Sequence, residues 1–260
     1  MSSAPTWVLL RGLMRDARHW GAFPETLRAA LPGAGLCLLD LPGNGLRHRE
    51  QSPASVTAMA EWVRAELLRQ GIKPPYRVFA MSLGAMVTVA WADAHPQEIE
   101  RAVLANTSLK PISPFYRRLQ PAAWPLLLRM ALGKPSAREA EEAILQLTSN
   151  HREQTRAVLD DWIAWRLSHP VSRANALRQL LAAMRFHAPS RPPQTPLLLL
   201  TGAHDRLVDT RCSQALASAW GCEIAVHPSA GHDLPLDDAA WVAAQVKNWV
   251  ALRDRRTVEG

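Results

Sequence analysis

Residues 78–86 read Val-Phe-Ala-Met-Ser-Leu-Gly-Ala-Met. A strand-type apolar run enters this stretch and a helix-type run leaves it. Ser82 sits at the junction, with Ala80 two residues before it and Gly84 two after. A buried serine ordinarily satisfies its hydroxyl on nearby backbone and does nothing more. A serine on a sharp strand-to-helix turn is different. Such a turn is strained, and the positions two before and two after must be small to clear the adjacent strand and helix. Ala80 and Gly84 meet that need, so Ser82 is a candidate nucleophile. The amide of Leu83, at the helix start, would point at an oxyanion formed on an attacked carbonyl carbon.

A hydroxyl nucleophile needs a base, and the base needs a carboxylate to orient it. Downstream, PLLLLTGAHDRLVD (196–209) carries a strand signal and leaves Asp205 in the following loop; AVHPSAGHDLP (225–235) does the same for His232. The carboxyl ends of adjacent parallel strands converge, so Ser82, Asp205 and His232 are expected at one edge of a sheet. The rival carboxylates, Asp209, Asp233, Asp237 and Asp238, are weaker. Asp209 is expected in the next helix, and Asp233 adjoins the histidine too closely in sequence to reach round its ring. No carboxylate occurs from Leu104 through Ala137, the other place an acid could stand. His204, Asp205 and His232 lack a ligand spacing such as HxxxH, and neither a metal nor a cofactor is expected. The remaining histidines read as surface or strand-end residues. GNG (43–45) lacks the lysine and spacing of a phosphate loop and reads as a tight turn.

Outward from the elbow, strand-type and helix-type runs alternate, which predicts an α/β fold with a mostly parallel, doubly wound sheet. Strands are predicted at 7–10, 35–40, 76–81, 101–107, 196–202 and 222–228, and the runs VLL, LCLL, VFAM, AVLA and PLLLL within the first five are apolar on both faces as buried parallel strands should be. Amphipathic helices are predicted over 17–31, 54–70, 83–94, 210–220 and 236–252, with a frayed tail after Arg253. From 109 to 193 the strand signals stop. Ser136 and Glu139 form a capping box, and helical spacing continues through 153–167 and 172–186. The chain therefore divides into a core of 1–108 and 194–260 and an all-helical insertion at 109–193.

Composition narrows the classes. The 260 residues are 48% hydrophobic and 20% charged, enough for a sizeable core. No apolar run is long enough to span a bilayer, and the amino terminus lacks the basic start and apolar length of a signal peptide. Three cysteines without a CxxC read as reduced thiols in a cytoplasmic protein. The net charge of +7 comes from arginines scattered along the chain, with only four lysines, 73, 110, 134 and 247. That scatter argues against a nucleic-acid surface. The expected partner is a small-molecule substrate, met by a monomer or homodimer.

Together LLRGLM (9–14), LDLPGNG (39–45), AMSLGAM (80–86), TGAHDRLV (201–208) and SAGHDLP (229–235) resemble the oxyanion loop, the loop after the second strand, the elbow, the acid loop and the histidine loop of the α/β-hydrolase superfamily. The resemblance runs from about Trp7 to Val250 and is nearest to small bacterial hydrolases with helical caps, including carboxylesterases, pimeloyl-ester and C–C bond hydrolases, and some acyltransferases. It implies a catalytic triad of Ser82, Asp205 and His232 and a second oxyanion amide at Leu13. The insertion at 109–193 falls where that family carries its cap. The implied activity is hydrolysis of an ester or thioester with an apolar acyl or aryl group through an acyl-enzyme; C–C hydrolysis or acyl transfer could use the same triad, and a non-catalytic ligand-binding module is a further reading. The family's oxyanion loop usually begins His-Gly, whereas Arg11 precedes Gly12 here. Arg11 either braces the loop or faces the pocket and draws an anionic substrate group. Arg15 and Arg18 are expected to be solvated. Met81 either lines the pocket floor or packs beneath it, and Trp124, Trp162 and Trp165 read first as packing anchors and second as substrate contacts.

Overall fold

The computed structural model describes residues 6–259 and contains a six-stranded, all-parallel sheet. Strands β1 (Trp7–Leu10), β2 (Leu36–Leu39), β3 (Tyr76–Met81), β4 (Ile99–Ala105), β5 (Leu197–Gly202) and β6 (Glu223–His227) lie in the order β2-β1-β3-β4-β5-β6. Alternate residues of the central strands feed two separate cores. Val8, Leu10, Val78, Ala80, Leu104 and Leu199 pack with α2 (Val56–Arg69) and α3 (Leu83–Ala94). Trp7, Leu9, Phe79, Met81, Val103 and Leu200 pack on the other side with α1 (Phe23–Ala30) and α11 (Ala239–Glu259). Both faces of the four inner strands are covered, which is why these carry no polar alternation, whereas Glu223 and Val226 of edge strand β6 are exposed. Helix α3 is buried from Leu83 through Ala92, and its one polar side chain there, Thr88, donates its hydroxyl to the Gly84 carbonyl.

Between β4 and β5 the chain forms α4 (Phe115–Arg118), α5 (Trp124–Leu132), α6 (Ala137–Thr148), α7 (Arg152–Ser168) and α8 (Arg173–Arg185). The Ser136–Glu139 capping box is formed at the start of α6. The way out and the way back meet in a parallel bridge between Lys110 and His187, at the base of this helical segment. After β5 come α9 (Arg211–Trp220) and the short α10 (Leu234–Asp237).

Several expected boundaries move, each for a local reason. The helix expected over 17–31 breaks at Gly21, whose φ of 53° leaves a 3-10 turn at Ala17–Trp20 before α1. The fourth strand starts at Ile99 and stops at Ala105, because Asn106 adopts φ 46° and leaves the ladder. Asp209 precedes α9 instead of lying in it, with its carboxylate accepting from the Arg211 amide. The tail does not fray at Arg253: α11 runs on to Glu259, held by Arg101–Asp254 and Arg253–Glu223 ion pairs. Among the described residues no helix is long and apolar enough to cross a membrane.

Candidate active site

In chain order the strands reverse direction across the sheet between β1 and β3, and a crevice outside the strands' carboxyl ends is where open parallel sheets bind ligands. Gly12 follows β1 and Ser82 follows β3, so both stand at that point. Ser82 has φ 50° and ψ −113°, a conformation that L residues rarely adopt. Its amide donates to the Ala105 carbonyl at 3.0 Å, which fixes the turn against β4. The small-residue requirement has a visible cause. A Cβ on Gly84 would lie 2.6 Å from the Leu10 carbonyl oxygen and 2.7 Å from that of Arg11, so only glycine lets α3 start this close to β1. Likewise a Cβ on Gly12 would stand 3.1 Å from the Ser82 Cβ, so the loop after β1 lies directly against the serine. Leu83 is buried at the first position of α3 and Leu13 half-buried in the facing loop.

Asp205 and His232 come together. His232 Nδ1 lies 2.8 Å from Asp205 Oδ2, both side chains are buried, and the other carboxylate oxygen accepts from the Leu207 and Val208 amides at 2.8 and 2.9 Å. Those amides hold the carboxylate in one orientation, so Nδ1 carries the hydrogen and Nε2 is left as the basic nitrogen. Burial works against a charged imidazolium, but the Asp205 carboxylate, by charge and hydrogen bond, outweighs it with help from Asp233. The His232 pKa is raised above its ordinary value.

Residues not recognised from the sequence hold these loops. The side-chain amide of Asn106 donates to the Gly231 carbonyl at 2.8 Å and that of His232 at 2.5 Å, while its oxygen accepts from the Gly202 amide. Asp237 accepts from the Gly231 amide at 2.6 Å, and Gln120 donates to the Asp205 carbonyl at 2.6 Å. The end of α6 reaches down as well: Asp233 donates its amide to the Thr148 carbonyl at 2.7 Å, and Asn150 donates to the carbonyls of His204 and Ser229. Their only sequence signal is polar residues at strand ends and helix ends, which loops everywhere share.

The residues with two readings, packing or substrate contact, are placed as follows. Arg11 is buried and bidentate to Asp233, Nη1 to Oδ1 at 3.0 Å and Nη2 to Oδ2 at 2.6 Å, with its guanidinium 4.7 Å from the Trp20 ring. That is the bracing arrangement, because an ion pair of this kind already answers the charge. Met81 packs beneath the elbow in the core, its sulfur 3.1 Å from Arg11 Nη1. Trp162 is 2% exposed and packs on the Arg15 guanidinium at 4.0 Å; Trp165 lies half-buried beside His19 and Arg18. Both are anchors. Trp124 is 41% exposed, stacked on Phe115, with its indole N–H on the Leu119 carbonyl.

The largest correction concerns the arginines after Gly12. Arg15 is not solvated: Nη1 meets Glu141 Oε2 of α6 at 2.9 Å, and Arg166 of α7 meets the other oxygen at 2.5 Å. Arg18 pairs with Asp16 at 2.7 Å. His19 is buried among them, Nδ1 3.1 Å from Asp16 Oδ1 and Nε2 3.0 Å from Arg15 Nη1. Burial and then the Arg15 charge push its pKa down to about 4.

Comparison with known proteins follows this geometry. The family model described as serine aminopeptidase, S33, matches residues 8–239. Pimeloyl-[acyl-carrier protein] methyl ester esterase of Chromobacterium violaceum is 26% identical over 88% of this chain and 79% of that protein. Its counterpart from Xylella fastidiosa is 25% identical over 95% of each. Among solved structures, an esterase from Rhodococcus sp. ECU1013 superposes with a TM-score of 0.76 at 20% identity, over 96% of this chain and 92% of that one. An esterase from Thermogutta terrifontis gives 0.73 at 19% identity, over 96% and 91%. With a six-stranded parallel sheet clothed in helices on both faces and a model match over most of its length, the chain belongs to the serine aminopeptidase S33 family of α/β-hydrolases.

Proposed function

We propose that this hydrolase cleaves a carboxylic ester, or a thioester, by way of an acyl-enzyme on Ser82. The observation that carries the reading is the buried 2.8 Å contact between Asp205 and His232, at the sheet edge where the strained Ser82 turn also stands. In this reading Ser82 Oγ attacks the acyl carbon while His232 Nε2 takes its proton. Asp205 keeps the hydrogen on Nδ1 and stabilises the imidazolium without itself taking a proton. The amides of Leu13 and Leu83 receive the developing oxyanion. Collapse expels the alcohol, which leaves with the proton from His232. Water, deprotonated in turn by His232, attacks the acyl-enzyme and releases the acid and the free serine.

The methyl ester esterases among the relatives support an ester bond over a peptide bond. Residues 109–193 act as the cap over the site, and its leucines, methionines and tryptophans suit an apolar acyl or aryl group. A cytoplasmic location accords with the free thiols of Cys37, Cys212 and Cys222. The test is a panel of aryl esters of increasing acyl length with the purified protein, alongside labelling by a fluorophosphonate probe. Wild-type protein is expected to hydrolyse part of the panel and to be labelled on Ser82. A Ser82→Ala variant with undiminished turnover would overturn the mechanism.

A further inference from the structure

One guanidinium touches three of the segments that hold the site. Arg11 is the first residue after β1 and immediately precedes Gly12, the residue packed against Ser82. Its Nη1 reaches the sulfur of Met81, the residue before the serine, at 3.1 Å. Both Nη atoms grip the carboxylate of Asp233, the residue after His232. The oxyanion loop, the elbow strand and the histidine loop thus meet on a planar, rigid fork, a geometry that ammonium or imidazole could not supply. Asp233 is anchored from behind as well, through its amide on the Thr148 carbonyl.

The geometry points to Arg11 and Asp233 as positioning residues of the hydrolytic site, a matched pair of charges that sets the register of serine, oxyanion loop and histidine while adding no net charge beside the imidazole. This rests on the acyl-enzyme reading above. The groups that bear on His232 are Asp205 from the loop after β5, Asp233 from its own loop and Arg11 from the loop after β1. Arg15 lies beyond Asp233, its own charge answered by Glu141. Asp237 acts further along, on the Gly231 amide. Asp233 favours the imidazolium and Arg11 disfavours it, so the two oppose each other at the ring.

The experiment follows the His232 imidazole by NMR titration, with kcat and KM for an aryl ester across pH, in wild type and three variants. Asp233→Asn leaves the Arg11 charge unopposed and is expected to lower the imidazole pKa by roughly one unit. It carries the acid limb of kcat/KM down with it. Arg11→Met leaves the carboxylate and is expected to hold the pKa at or above the wild-type value. The double variant Arg11→Met/Asp233→Leu removes both charges, a replacement that buried pairs tolerate in folding. There the pKa returns to near wild type, yet kcat falls by between about ten- and a hundredfold at similar KM, because the three segments lose their common fork. An unmoved imidazole pKa in Asp233→Asn would overturn the inference, as would a folded double variant with wild-type kcat. The titration needs no turnover, so a wild-type protein without ester hydrolysis would count against the acyl-enzyme reading and leave the charge balance still measurable.

Discussion

The strand ends and the loop that runs beneath the helical segment use polar residues in opposite ways. At the carboxyl ends of β4, β5 and β6, side chains answer to backbone or to one partner: Asp205 takes two amides of its own loop and one imidazole, and Asn106 ties the end of β4 to Gly202 of β5 and to the loop after β6. In the loop 14–20 Arg18 and His19 keep the local partner Asp16, but other groups answer to residues far along the chain. Arg15 meets Glu141 of α6, Trp162 of α7 covers its guanidinium, and the Met14 amide donates to Gln179 of α8. On the proposed mechanism the first region carries the chemistry. The second joins the core to its helical insertion, with Arg15 as a bolt between them. Similar side chains in adjacent loops are therefore expected to have different consequences when removed.

That contrast can be broken or sharpened by substitution. The largest effect is expected from Asp205→Asn, which leaves the shape but spoils the tautomer held on His232. It should lower kcat by roughly 10³–10⁴ while shifting the melting temperature little, as read by steady-state kinetics beside a thermal melt. A comparable loss of stability would merge the two regions. Glu141→Leu tests the other side: it strands Arg15, which is largely buried, and should cost about 3–5 kcal/mol in a denaturant titration. Assayed well below its melting point, this variant should lose far less activity than stability.

A pH titration of stability gives the next effect. His19 has its folded pKa depressed from 6.5 to about 4, so its contribution is fully present above pH 6.5 and is lost as pH falls from there towards about 4. The loss should be on the order of 3 kcal/mol, and it should be missing from the stability curve of His19→Gln and so appear in that variant's difference from wild type. A parallel pair of curves across that window would show that His19 is not held neutral. The smallest effect is expected from Arg166→Ala. This arginine is partly exposed, and because Arg15 still pairs with Glu141 after its removal, the denaturant midpoint should report a change of about 1 kcal/mol or less.

Much of the fold was legible because it rests on local patterns. All six strands fall within two residues of their predicted starts and ends, and for the four inner strands the reason is that a parallel strand buried on both faces must be a short apolar run between breakers. The elbow was legible for a steric reason now visible at Gly84, and the meeting of Asp205 with His232 followed from strand order. Less legible were breaks within helices. The interruption at Gly21 depends on a left-handed backbone angle that amphipathic spacing does not report.

What the sequence by itself determined is the alternation that makes the sheet and the small-residue turn that carries Ser82. It also determined which loops bear the carboxylate and the imidazole. Each of these is written within a few neighbouring residues. Which charges cancel was decided only by tertiary structure. Arg11 and Asp233 lie 222 positions apart, and Arg15 and Glu141 lie 126 apart. A lone arginine in a sequence carries no mark of whether it will be solvated or bolted, because the answer depends on the carboxylate that folding brings beside it and on the water that packing removes.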